Sequence, residues 1–498
     1  MIVRFNTDDV VIHLAAAGAG KSFAAMQEIT EALKVYRPDE IAFITFTKKG
    51  VEIGIQRALE MDRELTPDDL YNFKTLHALS FREAKLSRVN IMEAGDIVKF
   101  NKAFGFNLSP VTDTFGHSTE DDKLLQRYDS KRAGSTKSVF VNGAYDVMRY
   151  DRLVNAYEAF KKSHGLVDFY DCLDKYLADG EPLKNVSILI VDECQDISPT
   201  QWQVIMKMSE NVAKVRCYGD DFQTIFAHAG SDPSILVELA SHYKCVKHEI
   251  SYRLPKAVYE YAKGITDLIS EKVDKDYAPR ADAPEGFVET GVDREILARK
   301  IRDDMKRNGA KEGRWYLLFR NNCFIDDMAQ TLQQFIVPYS DQRGFCIAKR
   351  DLAKIKRYYQ YRVQGYGKDE ARKKFMEEYH IKDINDDFIN SDLIPGKEKY
   401  FYQDLVNEWG LEALEKIAGM TKPFCLLSTI HKVKGGEADY TGLFMDCTKL
   451  VSNNILFDAD SELRVLYVGV TRCREGLYII PAKSAYSMQK LLDLVGEA

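Results

Sequence analysis

Ala15-Ala16-Ala17-Gly18-Ala19-Gly20-Lys21-Ser22 sits between an apolar run, Val10-Val11-Ile12-His13-Leu14, and an amphipathic segment from Phe23 to Val35. Strand, tight turn and helix is the context in which a small-residue loop cradles phosphate. Small side chains let successive backbone N–H groups approach phosphate oxygens, and the helix N-terminus adds partial positive charge. The spacing assigns Lys21 to the β- and γ-phosphates and the Ser22 hydroxyl to Mg²⁺, with Ala17, Gly18, Ala19 and Gly20 as the cradle. The strict pattern begins with Gly, where this chain has Ala15, so a plain small-residue turn is the competing reading of the stretch taken alone.

A second element decides between them. Ile188-Leu189-Ile190-Val191 reads as a buried parallel strand, continuous rather than alternating in its apolar residues. Asp192-Glu193-Cys194-Gln195-Asp196 follows at its carboxyl end, where doubly wound sheets bind ligands. Adjacent acids there divide the work: Asp192 holds hydrated Mg²⁺ and Glu193 polarises the attacking water. Such pairs also occur as simple helix caps, and it is the phosphate loop upstream that favours catalysis.

Working outward, residues 38–47 form a second strand ending in the polar turn Thr45-Phe46-Thr47-Lys48-Lys49, with a helix after it from Val51 to Met61. Asn72 to His77 is another strand-to-helix junction. From 84 to 165 the strand rhythm lapses into polar loops and a helix, Asp151–Lys162. Strands resume near Val186, at Lys214–Tyr218 and at His248–Ser251. A further α/β unit starts at Arg314. Residues 346–419 are helical and charge-rich, and strands return at Phe424–Ser428, Thr441–Met445 and Gly476–Ile480. The layout is two nucleotide-fold domains, each interrupted once: 1–83 with 166–252 around an insertion at 84–165, and 253–345 with 420–498 around a second at 346–419.

Composition narrows the function classes. The 498 residues are 45% hydrophobic and 29% charged, ordinary values for a chain with several cores. No run of 18 apolar residues and no basic-then-apolar leader is present, so the expectation is a cytoplasmic protein with no membrane partner. The 9 cysteines include no C-x-x-C pair, which speaks against zinc and a disulfide framework. The formal net charge of −7 excludes a surface that grips nucleic acid all over, leaving room for a narrow track.

Further polar groups gather around the predicted strand ends. Gln223, in Gly219-Asp220-Asp221-Phe222-Gln223-Thr224-Ile225-Phe226, suits hydrogen bonds to a γ-phosphate and its attacking water; a structural Gln in a turn is the alternative. Arg253 in Ser251-Tyr252-Arg253 and Arg472 in Val470-Thr471-Arg472 suit fingers that stabilise transition-state charge, although a lone arginine is by default a surface ion pair.

These segments, in this order, resemble the UvrD/Rep family of superfamily one DNA helicases. The resemblance runs through the phosphate loop, Thr45 to Lys49, Thr75-Leu76-His77, Leu166-Val167-Asp168-Phe169, Asp192 to Asp196 and Gly219 to Gln223. It continues through Tyr252-Arg253, Leu318 to Asn322, Thr429-Ile430-His431-Lys432-Val433-Lys434-Gly435-Gly436-Glu437 and Leu466 to Arg472. It implies two RecA-like lobes with helical insertions, forming an ATP-driven motor that moves 3′ to 5′ on single-stranded DNA and unwinds duplex. Lys21, Glu193, Gln223, Arg253 and Arg472 would act in catalysis, Ser22 and Asp192 on the metal, and Glu437 on the ribose. Thr47, Lys48, Thr75, His77, Phe226, Thr429 and His431 would line the strand track, with His228 beside Phe226 as a second stacking surface. Implied partners are single-stranded DNA and its junctions with duplex, and replication or repair proteins, the protein itself being a monomer or weak oligomer.

The chain departs from that pattern in four places. Met1–Asp9 contain no Gln to read adenine, His228-Ala229 replaces a Trp-Arg pair, and Ala16 replaces a loop glycine, tolerable if φ is negative there. The second insertion is short, and its stretch Lys349–Lys374 is basic and rich in tyrosine (Tyr358, Tyr359, Tyr361, Tyr366). That stretch reads either as a duplex contact or as a solvated helix face with tyrosines packed inward. Two other functions stay in view: a DNA-stimulated ATPase that strips proteins or recruits partners without unwinding, and a small-molecule phosphotransferase. The second would need neither paired arginines nor the 429–437 segment.

Overall fold

Val10–Ala15 (β1) enters a parallel sheet one place in from its edge, beside a strand more than 200 positions downstream. The structure, a computed structural model, describes residues 3–61, 64–86, 91–110, 119–134, 147–347, 352–354, 356–357, 360–361, 364–379 and 399–491. The sheet also holds Ile41–Thr45 (β2), Phe73–Thr75 (β3), Ile188–Val191 (β4), Lys214–Gly219 (β5) and Lys244–His248 (β6), in the order β3-β2-β4-β5-β1-β6. Every pairing is parallel. All residues of β2 and β4 are buried, as continuous apolar runs covered on both faces should be. Because β4, β5 and β1 are neighbours, the loops after them converge at one end of the sheet.

The next two strands, Ile250–Ser251 (β7) and Ala278–Pro279 (β8), pair only with each other. The expected strand His248–Ser251 is therefore broken at Glu249, with His248 closing β6 and Ile250 opening β7. A second sheet contains Phe287–Thr290 (β9), Trp315–Phe319 (β10), Ser340–Asp341 (β11), Gly344–Phe345 (β12), Cys425–Thr429 (β13), Ala438–Phe444 (β14) and Cys473–Ile480 (β15). Their order is β12-β11-β13-β10-β14-β15-β9, parallel except for the β11–β12 pair. The pairing Ala438↔Cys473 sets the residues just before β14 and β15 side by side.

Residues 84–165 are helical where described, with helices at Ala94–Phe104, Glu120–Arg132 and Val147–His164. They enclose a core of their own made of Phe100, Phe106, Leu124, Leu153, Tyr157 and Phe160. The helices of 346–419 differ: Phe375, Leu405, Leu414 and Ile417 join the core of the seven-stranded sheet. Tyr358 and Tyr359 lie outside the described residues. Tyr361 is buried, its hydroxyl bonded to Glu378, and the half-buried Tyr366 accepts a bond from Lys374 Nζ at 2.9 Å. For these two rings the inward-packed reading holds. No described helix is long and apolar enough to cross a membrane, and all 9 cysteines are free.

Candidate functional site

The phosphate loop joins β1 to a helix, Lys21–Leu33, whose N-cap is Gly20 in the left-handed region (φ 77°). Gly18 is left-handed as well, at φ 74°, and a Cβ there would lie 2.5 Å from Arg253 Cβ and 2.9 Å from Ser251 Oγ. Gly18 thus answers both a backbone demand and a close approach. Ala15 and Ala16 have no positive φ, so alanine is at ease where the family pattern has glycine. The loop is also held from the far side of the site. Ala17 N donates to the Tyr467 hydroxyl at 2.9 Å, Ser251 Oγ donates to Ala17 O at 2.8 Å, and Tyr252 N donates to Gly18 O at 2.9 Å.

Lys21 Nζ pairs with Glu193 Oε2 and stands 3.9 Å from Asp192 Oδ1. Burial disfavours charge on Lys21, but Glu193 and Asp192 outweigh it and hold the ammonium well above its ordinary value. Burial lifts Asp192 to about 6 against the pull of Lys21, with Glu193 repelling it further. Burial also works upward on Glu193, yet Lys21 and Lys434 bring it down to about 2. The two adjacent carboxyls are driven apart in acidity, Glu193 by its cations and Asp192 by burial. Glu193 is one of four described non-glycine residues with positive φ, at 58°. Its backbone is kept there by Glu193 N donating to Asp192 Oδ1 at 2.8 Å and by Asp196 N donating to Glu193 O at 3.0 Å. The Ser22 hydroxyl and Asp192 carboxylate are hard oxygen donors of the kind Mg²⁺ takes, with phosphate and water completing its shell.

Glu193 and Lys21 share a cavity of about 470 Å³ with Gln223, Arg253, Glu437 and Arg472. Gln223 Nε2 donates to Asp220 Oδ2 at 2.6 Å, and Arg472 Nη2 donates to Gln223 Oε1 at 3.3 Å. The Arg472 guanidinium is fixed by Nε to Val468 O (2.8 Å) and Nη1 to Gly436 O (3.3 Å). Burial, then repulsion from Arg253, lowers its pKa to about 9. Arg253 Nε donates to Glu437 Oε2 at 2.8 Å, and Arg474 lies 3.5 Å from the other oxygen. Glu437 is therefore engaged by two guanidiniums from within the cavity. Arg474 also pairs with Asp439 at 2.5 Å, while the cationic Arg253 and Arg472 guanidiniums face the cavity, where an anion would find favourable charge.

The residues assigned to the strand track divide into exposed and buried sets. Thr47 and Lys48 are exposed at the start of the helix Lys48–Met61, with Thr47 Oγ1 accepting from Gly50 N at 3.0 Å. Thr75 is half-buried and caps the next helix through Ala78 N. His77 is half-buried, lowered to about 4 by burial, and its ring meets the exposed Phe169 edge-on at 5.6 Å. Phe226 stacks on Phe46 at 6.0 Å and 16°, and lies 6.2 Å from the ring of His431. Thr429 and His431 are buried, at 4% and 6% exposure, behind that aromatic row. The side chain of His228 lies outside the described residues.

Several members of the site escape local sequence reading. Lys434 bonds both oxygens of Asp196 (2.6 and 2.7 Å) and Gln223 O (2.6 Å). Tyr467 holds the phosphate loop, Phe46 stacks on Phe226, Phe169 meets His77, and Tyr252, 63% exposed, lines the cavity. A signal existed for all of them: Phe46, Phe169, Tyr252, Lys434 and Tyr467 fall inside the quoted motifs. Elsewhere, Glu158, Asp168 and Asp171 are the one described trio of acidic, His or Cys groups close enough to share an ion. Lys161 already pairs with all three, and Arg132 with the two aspartates.

A parallel α/β sheet with a phosphate loop, strand-end acids and arginines around one cavity defines the P-loop nucleotide-binding class. Within that class, residues 2–244 match the UvrD/REP helicase N-terminal domain, and over that stretch the chain resembles the UvrD/Rep family. It is 26% identical over 283 residues to the ATP-dependent DNA helicase Rep of Escherichia coli K12, covering 50% of this chain and 40% of that protein. Identity is 22% over 353 residues to Rep of Buchnera aphidicola subsp. Baizongia pistaciae, covering 66% and 52%. It is 27% over 212 residues to YjcD of Bacillus subtilis 168, which is named provisionally as an ATP-dependent DNA helicase; 39% of this chain and 27% of that protein are covered. The chain spans about half or less of the length of these relatives.

Proposed function

We propose that the protein is an ATP-dependent DNA helicase, a motor that hydrolyses Mg-ATP and moves 3′ to 5′ along single-stranded DNA. In this reading residues 1–83 and 166–252 form one RecA-like motor domain around the insertion 84–165. Residues 253–345 and 420–498 form the other, around 346–419. Lys21 holds the β- and γ-phosphates, Ser22 and Asp192 the metal, and Glu193 orients and deprotonates the attacking water. Gln223 senses the γ-phosphate, Arg253 and Arg472 neutralise charge as it leaves, and Glu437 turns from Arg253 to the ribose. Mg²⁺, held by Ser22 and Asp192, would supply Lewis-acid screening of the phosphate charge.

The observation that carries the proposal is that one cavity joins Lys21 and Glu193 to Arg253 and Arg472. The former pair follow strands of the six-stranded sheet; Arg472 immediately precedes a strand of the seven-stranded one. Closing such a cavity on a triphosphate draws the two sheets together, and hydrolysis lets them part. The aromatic row Phe46–Phe226 with exposed Thr47 and Lys48 offers stacking and phosphate contacts for a single strand.

The test is ATP turnover with and without single-stranded DNA, followed by unwinding of duplexes bearing a 3′ or a 5′ tail. Expected results are DNA-stimulated turnover that Lys21→Ala abolishes, and unwinding from the 3′ tail only. Turnover indifferent to DNA would end the motor reading. DNA-stimulated turnover with no unwinding from either tail would replace it with a strand-clearing ATPase.

A further inference from the structure

Lys275 takes no part in the chemistry above, yet its side chain is only 1% exposed. Its ammonium donates to Asp220 Oδ1 at 2.9 Å, pairs with Asp221 Oδ1, and stands 3.5 Å from the centre of the Phe222 ring. Desolvation offsets most of the Coulomb gain in a buried ion group, so stability alone is a weak account of this one.

The segment carrying Lys275 is bracketed to the same turn by other bonds. Val273 N donates to Asp221 Oδ2 at 2.9 Å. Arg464 donates from Nε to Asp221 O at 2.9 Å and from Nη2 to Glu271 O at 2.5 Å. Tyr277 and Arg464's neighbours Leu463, Val465 and Leu466 share a hydrophobic cluster with strand residues of the seven-stranded sheet. The bracket therefore grips a turn of one sheet from the side of the other.

What it grips is the node of the site. Asp220 Oδ1 accepts from Lys275, while Oδ2 accepts from Gln223 Nε2. Asp220 N donates to Gln195 Oε1 at 3.0 Å, and Gln195 in turn bonds Glu193. With its NH₂ end held by Asp220, Gln223 can present only its oxygen to Arg472. If Asp220 is left without its cation, repulsion from Asp221 favours turning it away. The two ends of the Gln223 amide then lose the acceptor that tells them apart, and an NH₂ group facing Arg472 is repelled.

We propose that Lys275 is a positioning residue: by fixing Asp220 it sets the Gln223 amide between Asp220 and Arg472, and so aligns the γ-phosphate sensor with its arginine. The proposal rests on the ATPase reading above.

Its test is a double-mutant cycle on the full chain, with steady-state ATP turnover at saturating single-stranded DNA. Lys275→Met is expected to lower kcat on the order of 10- to 100-fold, the scale of a misplaced catalytic group, with KM for ATP within about twofold. Because Lys275 acts through Gln223, adding Lys275→Met to Gln223→Ala should cost nothing more. Independent losses that multiply in the double variant, or a KM effect with kcat unchanged, would overturn the proposal. Should Lys275→Met not yield folded protein, Asp220→Asn enters the same cycle under the same criteria. Absence of DNA-stimulated turnover in the unaltered protein would count against the motor reading; multiplicative losses in an active protein count against Lys275 alone.

Discussion

Arg472 and Gln223 are 249 positions apart in the chain and share a hydrogen bond of 3.3 Å across the nucleotide cavity. Two backbone carbonyls, of Val468 and Gly436, fix the same guanidinium, so its planar fork is used on several sides at once. A lysine reaches one of those acceptors and not the others. Arg472→Lys is therefore expected to behave almost like Arg472→Ala, lowering kcat by roughly 10³-fold or more in DNA-stimulated ATP turnover. Recovery of most of the activity by lysine would show that charge alone suffices and that the fork geometry is incidental.

The two left-handed loop glycines make different demands. A Cβ at Gly20 meets nothing within 4 Å, whereas at Gly18 it collides with Arg253 and Ser251. Gly20→Ala should cost roughly 1–2 kcal/mol of stability, the price of left-handed backbone in an L-residue. Gly18→Ala should cost clearly more, by displacing the segment that carries Arg253. Urea unfolding of the two nucleotide-free variants measures the difference, and equal losses would mean that Arg253 yields without resistance.

Phe46 and Phe226 form one stacked unit, so their contributions to strand binding should not add. Each alanine variant is expected to weaken single-stranded DNA binding by about 1–3 kcal/mol in a fluorescence titration. The double variant should lose less than the sum, because either single change already breaks the platform. Full additivity would place the two rings against separate bases.

Asp129, facing Asp168, Asp171, Arg132 and Lys161, is raised to about 7 by burial first and then by Asp168. The sign follows from proton counting: between the unfolded carboxyl value near 4 and the native value near 7, the folded state holds a proton that the unfolded state releases. Its contribution to stability is complete below pH ~4 and lost as pH rises through about 7. Asp129→Asn should therefore raise Tm at pH 8 and leave it nearly unchanged at pH 4.5. A Tm gain independent of pH would show that this carboxyl titrates normally.

Much of the site was legible because its chemistry is encoded locally. Lys21 and Ser22 follow directly from a strand–turn–helix pattern, and Asp192-Glu193 from the end of an apolar run. What stayed hidden depends on distance along the chain. Tyr467 meets Ala17 across 450 positions and Lys434 meets Asp196 across 238, and no local pattern announces such partners. The edge strand Phe287–Thr290 was missed because no buried residue marks it. The hairpin of Ser340–Asp341 and Gly344–Phe345 is too short for any periodicity. Arg253 and Glu437 were placed in the same cavity by motif order, but their mutual ion pair could not be foreseen from residue types that each also suit a nucleotide.

The left-handed backbone at Glu193 carries a cost of about 1–3 kcal/mol, a sizeable part of the 5–15 kcal/mol that typically keeps a domain folded. Glycine would rest there without complaint, so a redesign of this sequence guided only by thermal resilience would replace Glu193 among its first choices. The result would be a sturdier molecule stripped of the carboxylate on which the proposed hydrolysis depends.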